Sequence, residues 1–245
     1  MKNKQFCTMI IVLLLPLYLF SQNNYQVKYK MTTLFDGIKN YEASLTFSEQ
    51  KSCFEYKLSL KDTATVERQD ENGNLKIAIA DTKEHKVYFD FKKKKHSEIK
   101  YLKKPFVVQD TLTLPNWKIL DEVKNFSNHL CQKATTTYKG RNYEVWYTLD
   151  FPTKFGPWKL CGLPGLILIA EDDTKEVYFE ATEITNITDI IEVPNITFEV
   201  VSSMEYDLYF KNWMKDFEER IKSKGDRNLK LSVKFGKSRS LEIAD

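Results

Sequence analysis

Arg141, Tyr143, Trp146 and Trp158 are the residues of this chain best suited to grip a ligand. A guanidinium beside aromatic rings can fork onto a carboxylate or lie flat over a ring. On a strand, side chains alternate, so Arg141 and Tyr143 share one face and Trp146 takes the other. The same set has a second reading. Arg141 could be buried, its donors tying down backbone carbonyls of the glycine- and proline-rich corner that follows, because buried acceptors must find donors. Trp158 and Trp117 read equally as pocket wall or as core.

Catalytic sets are harder to assemble. Histidine occurs only at 85, 96 and 129, and no two sit at metal-ligand spacing, so no metal site is expected. There is no Gly-x-Ser-x-Gly elbow and no phosphate-cradling loop, and no cofactor is implied. His129 and Cys131 would share a strand face, but side chains at that spacing stand about 7 Å apart, too far for a nucleophile and its base. Asp150, Glu171, Asp172 and Asp173 are the acids nearest the corner. They fall at predicted turns, where Asp is favoured for its local backbone bonds. A hydrolase assembled from distant residues would draw on Arg141, Glu144, Asp150 and His129.

The run from Lys154 to Leu168, KFGPWKLCGLPGLIL, holds Gly156, Pro157, Gly162, Pro164 and Gly165. Interleaved with them are Phe155, Trp158, Leu160, Leu163, Leu166, Ile167 and Leu168. Gly and Pro set backbone shape while the apolar residues seek burial, so the run is expected to form a rigid buried corner.

Gly162-Leu163-Pro164-Gly165-Leu166-Ile167, with the upstream blocks NWKILDE (116–122) and HLCQKATTTYKGRNYEVWYTLDFP (129–152), resembles the GLPGLI family of secreted or envelope proteins of Bacteroidetes. The likeness is dense from Trp117 to Ala181. It implies export, to the periplasm or the outer membrane or beyond, but no established activity. Cys131 and Cys161 both lie in this dense block and are the first candidates for a disulfide. Asp62-Thr63-Ala64 and Asp110-Thr111-Leu112 resemble the O-glycosylation acceptor triplets of the same bacteria.

Residues 1–21 carry Lys2 and Lys4, an apolar run from Met9 to Phe20, and a small residue before a polar one. This is the pattern of a secretory signal peptide. The apolar run falls short of the roughly 20 residues that span a bilayer, so no transmembrane segment is expected after cleavage. Residues 22–245 are expected to form a single domain. Losing the two leader lysines takes the formal charge of the 245-residue chain from +3 to +1. A near-neutral chain is a poor match for nucleic acid. Three cysteines remain, an odd count that allows at most one internal bridge.

The elements that must position these residues are mostly strands. Tyr25–Met31, Ala43–Phe47, Phe54–Leu58 and Tyr143–Thr148 alternate apolar with polar. Asn72-Gly73 marks a hairpin turn. Such a series with few helices predicts a mainly β fold, a curved antiparallel sheet or half-barrel. One amphipathic helix is expected near the C-terminus, from Ser203 to Lys222, with Ser202 and Glu205 as its capping box. Its stripe, Tyr206, Phe210, Trp213, Phe217 and Ile221, is expected to pack on the sheet as core. A last strand is expected at Leu229–Phe235 and a frayed end at 237–245. The lysines between Lys92 and Lys104 read as a solvated loop or edge strand. An aromatic-rich, exported β chain without a convergent catalytic set suggests a non-enzymatic binding or accessory module. Its concave side would hold an apolar or peptide ligand, or its surface would meet an outer-membrane protein.

Overall fold

The computed structural model describes residues 24–35, 37–60, 66–69, 75–78, 82–188, 191, 197–224 and 241–242. The expected signal peptide, the expected Asn72-Gly73 turn, Thr63 and the strand expected at Leu229–Phe235 lie outside them. The fold is mainly β, with one C-terminal helix. Strands β1 (Asn24–Thr33), β2 (Lys39–Phe47), β3 (Lys51–Leu58), β6 (His85–Asp90), β7 (Lys95–Tyr101), β8 (Pro105–Thr111), β9 (Lys118–Phe126), β10 (His129–Tyr138), β11 (Arg141–Thr148), β12 (Leu166–Asp172), β13 (Val177–Ile187) and β14 (Glu199–Val201) form one sheet. Its order is β14-β8-β7-β6-β3-β2-β1-β13-β12-β11-β10-β9. Every pairing is antiparallel except β14 with β8. β4 (Val66–Gln69) and β5 (Leu75–Ala78) pair as a separate antiparallel ribbon around the predicted hairpin turn.

This sheet must curl. β8 and β9 stand ten strand positions apart, which in a flat sheet is about 48 Å at ~4.8 Å per strand. Yet only residues 112–117 join them, and seven peptide steps reach about 25 Å at most. The edges are therefore drawn together, although their hydrogen bonds do not close a barrel. The expected half-barrel is what forms.

Alternation decides which side chains enter the curl. Val27, Tyr29, Met31, Leu45, Phe47, Phe54, Val87, Phe89, Val145 and Tyr147 point inward and are buried. Residues 151–165, between β11 and β12, run through this interior. Phe155, Trp158, Leu160, Cys161 and Leu163 are each at most 2% exposed. Phe155 packs on Phe47 and Phe91, and Trp158 on Tyr138 and Tyr143. The corner is shaped by the Gly162 N–H donating to the Lys154 carbonyl (2.7 Å) and the Leu166 N–H donating to Phe151 (3.2 Å). Gly162 adopts φ +101°, the left-handed region that favours glycine. The rigid buried corner is present, and it is the core.

Helix α1 spans Ser203–Lys224. Its capping box forms as the spacing predicts. Glu205 Oε2 accepts from the Ser202 N–H (2.7 Å), and Ser202 Oγ accepts from the Glu205 N–H (3.2 Å). No helix among the described residues is long and apolar enough to cross a membrane.

Candidate functional site

The inner face was expected to cradle a ligand, but residues 151–165 fill it. Of the four candidate side chains, Arg141, Tyr143 and Trp158 meet there, at one end of the curl. Arg141 is 2% exposed. Its Nη1 donates to Asp172 Oδ2 (2.6 Å) and Glu176 Oε2 (3.1 Å), and its guanidinium lies 5.0 Å from the Phe35 ring centre. Asp172 in turn accepts from the Val177 N–H (2.8 Å). Arg141 thus stitches the β10–β11 turn to the β12–β13 turn through the buried Asp172 and the half-buried Glu176. The expectation that it would bond the corner's carbonyls did not anticipate these acids. Tyr143 is 2% exposed, its hydroxyl has no hydrogen-bond partner, and burial pushes its pKa up. Trp158 packs edge-on against Tyr138, with ring centres 6.3 Å apart.

Next to Trp158 stands a residue that the sequence reading passed over. Lys159 is 3% exposed, yet its ammonium donates to Glu98 Oε2 on β7 (2.7 Å) and to Glu242 Oε1 near the C-terminus. Lys139 Nζ lies 3.7 Å from the other Glu242 oxygen, and Lys100 Nζ lies 3.7 Å from Glu98. Burial alone would favour the neutral amine, but the charges of Glu98 and Glu242 hold the ammonium above the usual lysine value. Leu241 beside it is 9% exposed and joins the main core. The end of the chain was expected to fray, yet these two residues are docked. A lysine between Trp158 and Leu160, in an otherwise apolar run, was the one sequence signal for this cluster.

Trp146 turns to the outer face. Lys124 Nζ sits 4.1 Å above its ring and Lys133 Nζ 5.7 Å from it, while Lys133 also pairs with Glu144 (3.0 Å) and Glu122 (3.1 Å). Beside it an open polar groove of ≈ 690 Å³ is lined by Lys118, Thr135, Asn142, Glu144, Glu171 and Asp173, among others. Glu144 and Glu171 face each other across β11 and β12.

The four hydrolase suspects do not converge. His129 Nδ1 and Asp150 Oδ2 are 2.6 Å apart at one end of the β10–β11 hairpin. Arg141 is at the other end, and Glu144 faces outward. Cys131 is fully buried and its thiol meets the His129 carbonyl (3.6 Å), not the ring. Burial raises its pKa, so it is a thiol rather than a thiolate. Among the described residues no group of three or more His, Cys, Asp or Glu could hold a metal ion.

The candidate disulfide Cys131–Cys161 is absent. Cys53, Cys131 and Cys161 are all free and buried. Cys131 begins β10, whereas the Cys161 carbonyl accepts from Trp117 Nε1 (2.9 Å), next to the far end of β10. The five residues from Cys131 to Thr136 alone span about 16 Å of strand, well beyond the ~5.5 Å between Cα atoms that a disulfide bridges.

Helix α1 departs from expectation in its packing. Tyr206 is buried against Phe106 and Tyr209 stacks on it, but Phe210 and Phe217 are 42% and 37% exposed. Trp213 stacks between them, 6.0 Å and 5.5 Å away by ring centres. Met204 and Leu208 are also exposed, at 82% and 58%. Only the first turns of α1 rest on β8. Further along, Asp216 comes within 3.9 Å of Lys103 in the β7–β8 loop, and Phe210 faces solvent over much of its surface.

No protein-family model and no curated protein matches the chain. Two crystal forms of PNGF-II share its fold, with TM-scores of 0.56 and 0.55, at 17% and 16% identity. Each alignment covers 78% of this chain but only 33% and 34% of the PNGF-II chains, about a third of their length. At that identity the likeness concerns the fold alone.

Proposed function

We propose that this chain is an exported, non-enzymatic accessory module of the cell envelope, akin to the GLPGLI proteins, that docks another polypeptide through α1. The observation that carries this reading is the Phe210–Trp213 ring pair on α1, with Phe210 42% exposed. Clustered aromatic side chains on a rigid helix supply large contact area and are enriched at protein interfaces. The filled interior supports a surface partner over an enclosed apolar ligand. The separation of Arg141 and Glu144 from the His129–Asp150 pair supports binding over hydrolysis.

The test is a photo-crosslinking amino acid placed at Trp213 or Phe217 and illuminated in native envelopes. A discrete adduct with one polypeptide, lost in the F210E variant, is the expected result. Adducts absent at both positions, with the protein folded and exported, would refute docking through α1.

A further inference from the structure

The cluster around Lys159 has the construction of a binding site, and its present occupant is the chain itself. Leu241 seats in the core, and Glu242 puts its carboxylate between Lys159 and Lys139. The wall is made by Trp158, whose ring lies 5.7 Å from the Lys159 ammonium, and by Tyr138 and Tyr143 beside it. Among the described ion pairs, removing Glu242 would leave Lys159 and Lys100 on Glu98 and take away the acid paired with Lys139. A partly buried cationic site with an apolar seat is built for an apolar residue followed by a carboxylate.

We infer that this site is a receptor for a peptide presenting an apolar residue followed by an acidic one, which Leu241–Glu242 occupies in cis until such a segment displaces it. The inference rests on the reading of this chain as a polypeptide-binding module and adds a second point of entry, distinct from α1. Its chemistry is exchange of one carboxylate for another, and no covalent step is involved. Because Lys159 keeps Glu98 throughout, the ammonium is never left buried and unpaired.

The test uses the full chain carrying L241A and E242A, and a synthetic peptide copying residues 238–245 as the probe. By isothermal titration calorimetry the variant should bind the peptide, and the wild-type chain should bind it at least tenfold more weakly because its own tail competes. A peptide with Gln in place of its Glu should bind the variant about tenfold or more weakly, the loss expected when a charged hydrogen bond is removed. A folded variant that ignores the peptide, or binds both peptides equally, overturns the inference. Should the variant fail to melt cooperatively, amide exchange on the wild-type chain serves instead. Saturating peptide should then speed exchange at Leu241 and Glu242, and unchanged exchange overturns the inference. Native mass spectra of the variant mixed with wild-type chain separate the two sources of such a segment. A dimer of variant with wild type identifies the tail of a second copy, and a variant monomer that binds the added peptide identifies a separate partner. Failure here leaves the α1 crosslinking result untouched, so the two readings fall separately.

Discussion

Gly165→Ala isolates what the corner does. A Cβ built on Gly165 would lie 2.1 Å from the Thr148 carbonyl oxygen and 2.8 Å from its carbon. Both are backbone atoms of β11, so no side chain can swing away. Gly165 does not have a positive φ, and the penalty is therefore overpacking rather than a forbidden angle. Relief requires β11 and β12 to part where Thr148 pairs with Leu166 and Tyr147 with Ile167. Overpacking of a dense interior typically costs about 1–3 kcal/mol, and a lost ladder hydrogen bond adds about 1 kcal/mol. The expected loss is about 2–4 kcal/mol, or roughly 4–16 °C in Tm for a chain of this size. The assay is thermal melting followed by far-UV circular dichroism and tryptophan fluorescence, with Pro164→Ala as the neighbouring control. Pro164 is exposed, and its replacement should cost about 1 kcal/mol or less, acting mainly through the unfolded chain. A G165A protein melting within about 2 °C of wild type would refute the corner as the packed centre of the fold.

Arg141→Ala leaves Asp172 buried and uncompensated, and should destabilise by about 3–5 kcal/mol in urea titration; the R141M/D172L pair should recover much of that loss. For Glu242, burial works to raise the pKa, but the Lys159 charge and hydrogen bond bring it below its ordinary 4.5. Its contribution to stability is therefore complete above about pH 4.5 and lost as pH falls through the folded value, so E242Q should flatten the acid limb of stability against pH. Burial pushes the Cys161 thiol up to about 12, so Cys53, Cys131 and Cys161 should resist iodoacetamide at neutral pH until the protein is denatured. No Cys131–Cys161 peptide should appear in a non-reduced digest. F210E should leave Tm within about 1 °C of wild type, because surface substitutions away from packed features rarely exceed ±0.5 kcal/mol, while abolishing the crosslink at Trp213.

Much of the fold was legible where alternation was clean. β1, β2, β3 and β11 each bury one face, and a half-buried strand prints a period of two in its residues. β9 left no such print. It is the sheet edge, and none of its nine residues from Lys118 to Phe126 is buried, so no face imposes an apolar period. β7 was hidden in the lysine tract. Its lysines are exposed or half-buried, but Glu98 and Ile99 are buried between β6 and β8, so it is an interior strand and not an edge. The GP-rich corner was legible because glycine at a close approach and apolar residues between prolines have few other uses. The site was less so. That Arg141 and Tyr143 share a face follows from strand period, but their meeting with Trp158 depends on the curl. So does the contact of Lys159 with Glu98, across seven strand positions from β11. The stripe on α1 was read as core because period 3.6 reports an apolar face, not what covers it.

The most direct test of the account is native mass spectrometry of the protein extracted from its source cells, compared with its denatured mass. A filled interior and an aromatic docking helix predict either the bare chain or a complex with a second polypeptide, the latter lost in F210E. A small non-covalent mass excess that vanishes on denaturation and persists in F210E would contradict it, since it would place a ligand in the interior that residues 151–165 occupy.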